Sequence, residues 1–456
     1  MTTPLPQRPV LTRAEGLYVQ DSAGRRYLDA TSGAFCMQLG YTRPDLAGAM
    51  AQSASRLPHA RPSVFDSEEA ERYRAALLEA AGAPFARVLL TSSGSEAVET
   101  AIQAAWWWQR ANGSIRRRAI LSLSGHFHGA TLGALAATGL PERRAPFETW
   151  LGEGAFGPAA HCVRCFRGLT HPSCGLACAD AALERAEEAA ALIAESVPAA
   201  GLAAAAPPEG WCARVRARCD ETGALWIADE TLTGFGRTGD LFAWPRLASR
   251  DGAAEPPVPD LVVFGKGASA GFFPLAGVLV SRRVAEALDS GLEPFRHVQT
   301  FGESPIGCAV GLRALEAYRN ESIFERARSL ESEAARALEP LREREAVYDV
   351  RGLGLLWGVE LAAGPSEDGR GGTRAPFPRA RQVAREVAAG CRARGVLVHA
   401  SAGFLPGRLG DAILVAPPLV TGAEELSTIA AALGEAIEAA APAGGGRPWV
   451  EEWEDR

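Results

Sequence analysis

The chain has 456 residues, 47% hydrophobic and 22% charged, room for two or three packed domains with an ordinary globular composition. Its formal net charge is −7, with acids and arginines interspersed, so no basic stripe or polybasic end marks it for nucleic acid or a membrane surface. The opening MTTPLPQRPVLTRAEG lacks the apolar core of a signal peptide, and the most apolar long stretch, Ala189–Ala206, is broken by Glu195 and Pro198; the expected location is the cytoplasm.

In chain order, GLYVQDSAGRRYLDATSGAF alternates apolar and polar residues around Ser-Ala-Gly and predicts a hairpin. Short apolar strands then alternate with helical patterns: RVLLTS (87–92), RAILSL (118–123), ALIAES (191–196), ALWIADE (224–230), DLVVFGK (260–266) and LAGVLVS (275–281). Such alternation predicts an α/β large domain with a mainly parallel central sheet flanked by helices. Helical text dominates residues 306–344. VYDVRGLGLLWGVEL and GVLVHA…AILVAPP then return to strand-like text and predict a smaller α+β domain. The expected division is 1–55 as an N-terminal segment joining the small domain, 56–320 as the large domain and 321–456 as the small domain. Residues 364–379, rich in Gly, Pro, Arg and acids, read as a surface loop, and AGGGRPWVEEWEDR as a flexible end.

Lysine and arginine together number 47, and Lys266, in VVFGKGAS, is the only lysine. Arginine replaces lysine wherever only positive charge is wanted, but not where an amine must lose its proton and attack a carbonyl. Other unusual groups fall at strand ends, where open α/β sheets bind ligands. After RVLLT, Ser93, Gly94 and Ser95 open a helix whose free N–H groups suit a phosphate, although an ordinary N-cap reads the same way. After LSL come Phe127 and His128, a possible platform for a flat ligand or simple core residues. After ALWIA comes Asp229-Glu230, a poorly solvated carboxylate that needs a cationic partner; the structural alternative is a buried Asp bonded to Arg237 or to backbone. The tryptophans Trp106–Trp108 point three ways on a helix and read as packing. A phosphate cradle, a stacking ring, an acid and one amine fit pyridoxal 5'-phosphate.

Nine cysteines are present. Five are scattered. Cys162, Cys165, Cys174 and Cys178 cluster as C-x2-C-x8-C-x3-C beside His161 and His171, a spacing near the zinc and iron–sulfur patterns but also open to reversible disulfides or loop packing. No residue is assigned as a metal ligand.

The motifs SGSEAVETAI, GHFHGAT, WIADETLTGFGRTG, VVFGKGASAGFFPLAGVLVS, HVQTFGESPIGCAVGLRAL and VRGLGLLWGVEL together resemble the class III aminotransferases of pyridoxal-phosphate fold type I, from about Gly16 to Val420. The resemblance implies that Lys266 forms the Schiff base with pyridoxal 5'-phosphate and later carries the proton. Asp229 is implied to pair with the ring nitrogen, Ser93, Gly94 and Ser95 to meet the phosphate, and Phe127 to stack on the ring beside His128. Glu195 and Glu230 match acidic positions near the cofactor. Thr300 matches a threonine that reaches the phosphate of a neighbouring subunit, which implies a homodimer with sites at its interface.

This chain also departs from the family pattern. Thr231 stands where an aliphatic residue packs on the ring. AILVAPPLV lacks the arginine that many relatives use for α-amino acids. Arg408 resembles the mobile arginine of the ω-aminotransferase branch, which pairs with a carboxylate or swings away; a solvated loop arginine is the alternative. Phe35 and Phe127 would line the amine side. The implied reaction moves an amino group from an amine or amino acid to a keto acid. A racemase, an aminomutase or a decarboxylase would use the same Lys and Asp, so the motifs do not separate them.

Overall fold

The computed structural model describes residues 9–250, 256–289, 295–363, 374–378, 381–405 and 409–441. Three strands open the chain: β1 (Leu11–Glu15), β2 (Tyr18–Asp21) and β3 (Arg26–Asp29). Seven follow: β4 (Phe85–Thr91), β5 (Ala119–Leu123), β6 (Ala155–Gly157), β7 (Ala189–Glu195), β8 (Leu225–Asp229), β9 (Leu261–Phe264) and β10 (Ala276–Ser281). The last five are β11 (Val347–Leu353), β12 (Leu356–Leu361), β13 (Val396–Leu397), β14 (His399–Leu405) and β15 (Leu409–Val415).

The middle seven form one sheet in the order β4-β10-β9-β8-β7-β5-β6. Every pairing is parallel except those of β10, which runs antiparallel to both β4 and β9. The fold is α/β, with helices on both faces of this mainly parallel sheet. That cover explains the near-continuous apolar text of the strands: all seven residues of β7 and all five of β8 are buried. On one face the helix Gly94–Ala111 buries Ala97, Val98, Ala101, Ile102, Ala104 and Ala105, a stripe at helical spacing. Each large aliphatic side chain buried here, such as Leu192 or Ile193, contributes about 1.5–3 kcal/mol of apolar transfer.

All six predicted large-sheet strands are present, each within two residues of its expected ends. The missed strand is β6, three half-buried residues at the sheet edge without a β-branched side chain. The opening hairpin is held by Asp21, whose carboxylate accepts from the Ala23 and Arg25 amides at 2.9 and 3.0 Å and from the Tyr27 hydroxyl at 2.8 Å. β3 pairs in parallel with β13, Leu28 beside Val396, so the two ends of the chain share a sheet in the order β1-β2-β3-β13. The other four strands make an antiparallel sheet, β11-β12-β15-β14. The helical text of 306–344 is two helices, Pro305–Asn320 and Ile323–Leu338, ending in a 3-10 turn, Glu339–Glu343. Most of the expected loop 364–379 and the tail from 442 lie outside the described residues; within that loop, Pro376 bridges Ala362. Among the described residues no helix is long and apolar enough to cross a membrane.

Candidate active site

Three neighbouring strands end side by side. The register of β7, β8 and β9 pairs Glu195 with Asp229 and Asp229 with Val263. β9 stops at Phe264, and the 3-10 turn Lys266–Ser269 begins just beyond it. Two carboxylates and the lone amine are therefore delivered to one edge of the sheet. Lys266 has φ +40°, a left-handed conformation unusual for a side-chain-bearing residue. The turn is pinned from behind: the Tyr318 hydroxyl donates to the Gly267 carbonyl at 2.8 Å, and a Cβ on Gly267 would lie 2.6 Å from the Gln38 amide.

Asp229 is buried and held by two partners. His128 Nδ1 lies 2.8 Å from Oδ2, and the Thr231 amide donates to Oδ1 at 3.0 Å. An ionised carboxylate only accepts, so His128 donates through Nδ1. Burial alone pushes the Asp229 carboxyl up; the His128 hydrogen bond, with help from Thr231, overrides it and holds the group below its ordinary value. Glu195 goes the other way: burial first, then the Asp229 charge, push it up, against the Phe127 amide that donates to it at 2.8 Å. Burial pushes the Lys266 amine down, and the charges of Asp229 and Glu195 only partly restore it. Lys266 keeps partial exposure to solvent.

The surrounding loops fit pyridoxal phosphate. Ser93 caps the helix Gly94–Ala111, its hydroxyl accepting from the Glu96 amide at 3.3 Å. The first N–H groups of that helix have no intrahelical partner and face an anion favourably. Backbone approaches closely here: a Cβ on Gly94 would stand 2.8 Å from Thr231 Cγ2, and one on Gly129 2.5 Å from Ser95 Oγ. Ser95 Oγ accepts from the Ala130 amide at 3.1 Å, which ties the Phe127–His128 loop to the helix start. Phe127 is half-buried. Thr231 Oγ1 and His128 Nε2 are buried without a hydrogen-bond partner, two polar atoms that a bound polar ligand would satisfy.

One expected partner differs, and the other site residues take these places. Of the two structural partners expected for Asp229, backbone is present, through the Thr231 amide, and Arg237 is not. That arginine is fully buried and donates to the Leu355 and Pro417 carbonyls and to Ser32 Oγ. Glu230, next to Asp229, turns its oxygens into the fold: they accept from Ser196, Thr233 and the Ala243 and Trp244 amides, the start of the helix Ala243–Ser249. Phe35 packs edge-on against His399 at 5.3 Å between centroids. Thr300 is exposed, beside exposed Val298 (57%) and Phe301 (65%). Arg408 lies outside the described residues. Sequence reasoning missed His126, whose Nδ1 accepts from the Glu195 amide at 2.9 Å, although GHFHG displays it. It also missed Gln38 and Tyr318, which no local pattern links.

The profile of the family described as Aminotransferase class-III matches residues 4–437. The chain belongs to the class III aminotransferases. It is 32% identical to an omega-aminotransferase of Caulobacter vibrioides over 90% of this chain and 89% of that one. A thermostable (S)-enantioselective omega-transaminase from Thermomicrobium roseum superposes with a TM-score of 0.85 at 32% identity, over 95% of this chain and 93% of that one. An amine transaminase from an uncultivated Pseudomonas species, described in its PLP-bound form, gives 0.86 at 29% identity, over 96% and 98%. This aminotransferase is a pyridoxal-phosphate-dependent enzyme of fold type I that catalyses transamination.

Proposed function

We propose that the residues at the ends of β7, β8 and β9 run the reaction, with Lys266 as the reacting amine and Asp229 as the group facing the ring nitrogen. The carrying observation is the register that sets Asp229 beside Glu195, with Lys266 just past β9 and its amine pushed toward neutrality. Bound pyridoxal phosphate supplies the aldehyde and an electron-withdrawing ring. Asp229, kept ionised, holds the proton on the ring nitrogen. Lys266, deprotonated at its Nζ, takes the proton from the donor's α-carbon. Ser93, Gly94 and Ser95 hold the phosphate end, and Thr231 packs beside Gly94 and Gly265. Phe127 covers the ring, while His128 orients Asp229. Glu195, favouring its neutral form, limits the negative charge beside the amine.

The amine side lies near Phe35, with Arg408 as the reader of a carboxylate when one is present. The working unit is a homodimer, supported by exposed Thr300, Val298 and Phe301 and by exposed Val64 and Phe65. The domain division at 55/56 and 320/321 is supported by the pairing of β3 with β13. A cytoplasmic location fits nine cysteines that are all free thiols. The deciding experiment is a donor screen with pyruvate and 2-oxoglutarate as acceptors. A keto product from at least one amine or amino acid is expected; racemised, rearranged or decarboxylated donor without a keto product would defeat the residue assignment to transamination.

A further inference from the structure

Two polar side chains beside the reacting amine have no task in the site as built so far. His399 opens β14, and its ring takes Phe35 edge-on at 5.3 Å between centroids. Phe35 leads into Cys36 and Gln38, which flank the Lys266 turn: Gln38 lies against Gly267, and a Cβ on Gly271 would stand 3.1 Å from Cys36 Sγ. The second side chain is Arg143, in the short helix Pro141–Arg144. Its neighbour Arg144 is buried and donates to the Leu135, Ala136 and Gly152 carbonyls at 3.1, 2.6 and 3.2 Å, which fixes this helix. Leu140, just before it, lies against Gly201, where a Cβ would stand 3.0 Å from Leu140 Cδ2. Ser401, two residues past His399 on β14, donates to the Ala200 carbonyl. The segment Ala200–Gly201 therefore joins the Arg143 helix to the strand of His399.

The charges agree with that placement. Burial first, then the positive charges of Arg143 and Lys266, push the His399 imidazole below its ordinary value. Both cations are thus within electrostatic reach of one ring. The charges that act most on Lys266 itself are those of Asp229, Glu195, Cys36 and Arg237. Arg143 is not in that set, so it acts at longer range from the amine than from the imidazole. Arg143 is exposed and His399 half-buried, and among the described residues neither the guanidinium nor the ring nitrogens have a hydrogen bond or an ion pair.

We propose that Arg143 and His399 read a second carboxylate of the substrate, remote from the reacting carbon, so that dicarboxylic keto acids and amino acids are the preferred class. The proposal rests on the reading of Lys266 as the reacting amine. A guanidinium fork matches a carboxylate bidentately, and a neutral imidazole adds one N–H donor. That pair suits one planar, singly charged group. A carboxylate between them also offsets the two positive charges that His399 faces. This reader is additional to Arg408 and lies on a different element, so the two ends of a dicarboxylate have separate partners.

The test uses holoenzyme with an amine donor from the screen above and compares pyruvate with 2-oxoglutarate, which carries an added carboxymethyl group. In Arg143→Ala the ratio of kcat/KM for 2-oxoglutarate to that for pyruvate should fall by about 10- to 100-fold, the range of a lost charge-assisted hydrogen bond, and the loss should appear in KM. Arg143→Lys keeps the charge without the fork and should recover part of the ratio. His399→Phe keeps an aromatic edge for Phe35, loses the ring nitrogens and should lower the ratio by a smaller factor. Glutarate has two carboxylates and no reacting carbonyl. Its affinity for the holoenzyme, measured by calorimetry, should fall in Arg143→Ala by the same factor as the ratio. An unchanged ratio with unchanged glutarate affinity overturns the proposal. Equal losses for both acceptors overturn it too, because Arg143 would then support the Ala200–Gly201 segment without reading substrate. If the screen yields no keto product, the reading of Lys266 fails, and the glutarate affinities still decide for or against Arg143.

Discussion

Asp229 and Glu230 are adjacent carboxylates, both buried, on opposite sides of the end of β8. Glu230 is saturated: four neutral donors occupy its two oxygens, and burial still pushes it up. Asp229 has a backbone amide and a histidine, and it is held low. Neutral dipoles position an acid without guaranteeing its charge; an imidazole donor does both. The saturated group ties β8 to the next helix. The unsaturated one keeps lone pairs for a ligand. Side chains alternate along a strand, so two neighbours in sequence can be divided between architecture, for Glu230, and the chemistry proposed for Asp229.

The largest expected effect sharpens the chemical side. Lys266→Arg keeps the charge and loses the deprotonatable amine, and should reduce turnover at least about 10⁴-fold, some 5.5 kcal/mol of barrier. Borohydride reduction of the wild-type holoenzyme followed by peptide mapping should place the label on Lys266. A label elsewhere removes the assignment. Asp229→Asn should follow with a loss of about 10³-fold in kcat and little loss of stability.

Glu230→Gln should do the reverse. One amide end cannot accept, so either Ser196 and the Trp244 amide or Thr233 and the Ala243 amide lose their acceptor. A stability loss of about 2–3 kcal/mol is expected, with kcat of the folded, loaded fraction within about threefold of wild type. If chemical denaturation shows no change and kcat collapses instead, the contrast between the two carboxylates is wrong.

His128 is a positioning residue, and its removal tests the claim that an imidazole donor keeps Asp229 ionised. In His128→Phe, burial is left to raise Asp229, and the acid limb of kcat should move to higher pH. The loss at neutral pH should be about tenfold, within the range of lost charge-assisted hydrogen bonds. His128→Gln, which restores a donor, should recover part of the rate. An unshifted acid limb in His128→Phe would make the histidine a packing residue only.

Much of this was legible in the sequence because chemistry-bearing residues interrupt apolar runs. Asp229 ends ALWIAD and Lys266 follows LVVFG, and a parallel sheet covered on both faces leaves few other places for such groups. The partners were less visible. Asp229 and Arg237 are close in sequence, but His128, 101 residues away, supplies the contact. Glu230 was placed near the cofactor by family resemblance alone, and its four internal donors come from segments that no local pattern links to it. Gln38 and Tyr318 meet behind Lys266 across 280 residues, beyond any local pattern. β6 escaped because a three-residue edge strand has too short a period to read.

Asp411, on β15, is a third buried carboxylate and an intermediate case. Oδ1 accepts from the Ala384 amide at 2.8 Å, near the start of the helix Val383–Ala393, and Oδ2 has no partner. With one neutral donor and no imidazole, the contrast above predicts that burial wins, and the carboxyl is pushed up to about 6. The folded chain then binds this proton more tightly than the unfolded chain. At pH below the ordinary value both states are protonated, and the site is neutral to stability. As pH rises toward about 6, the unfolded chain ionises first and stability falls; above about 6 the penalty stays constant. Asp411→Asn retains an oxygen for the Ala384 amide and removes the ionisation. It should be more stable than wild type at pH 7 by about 1–3 kcal/mol, an advantage that shrinks to nothing near pH 4. Paired denaturation curves of the two holoenzymes across that range measure the difference and cancel the other titrating groups. A difference that stays flat with pH would mean that Asp411 is ionised throughout, and that a single backbone donor suffices to hold a buried charge.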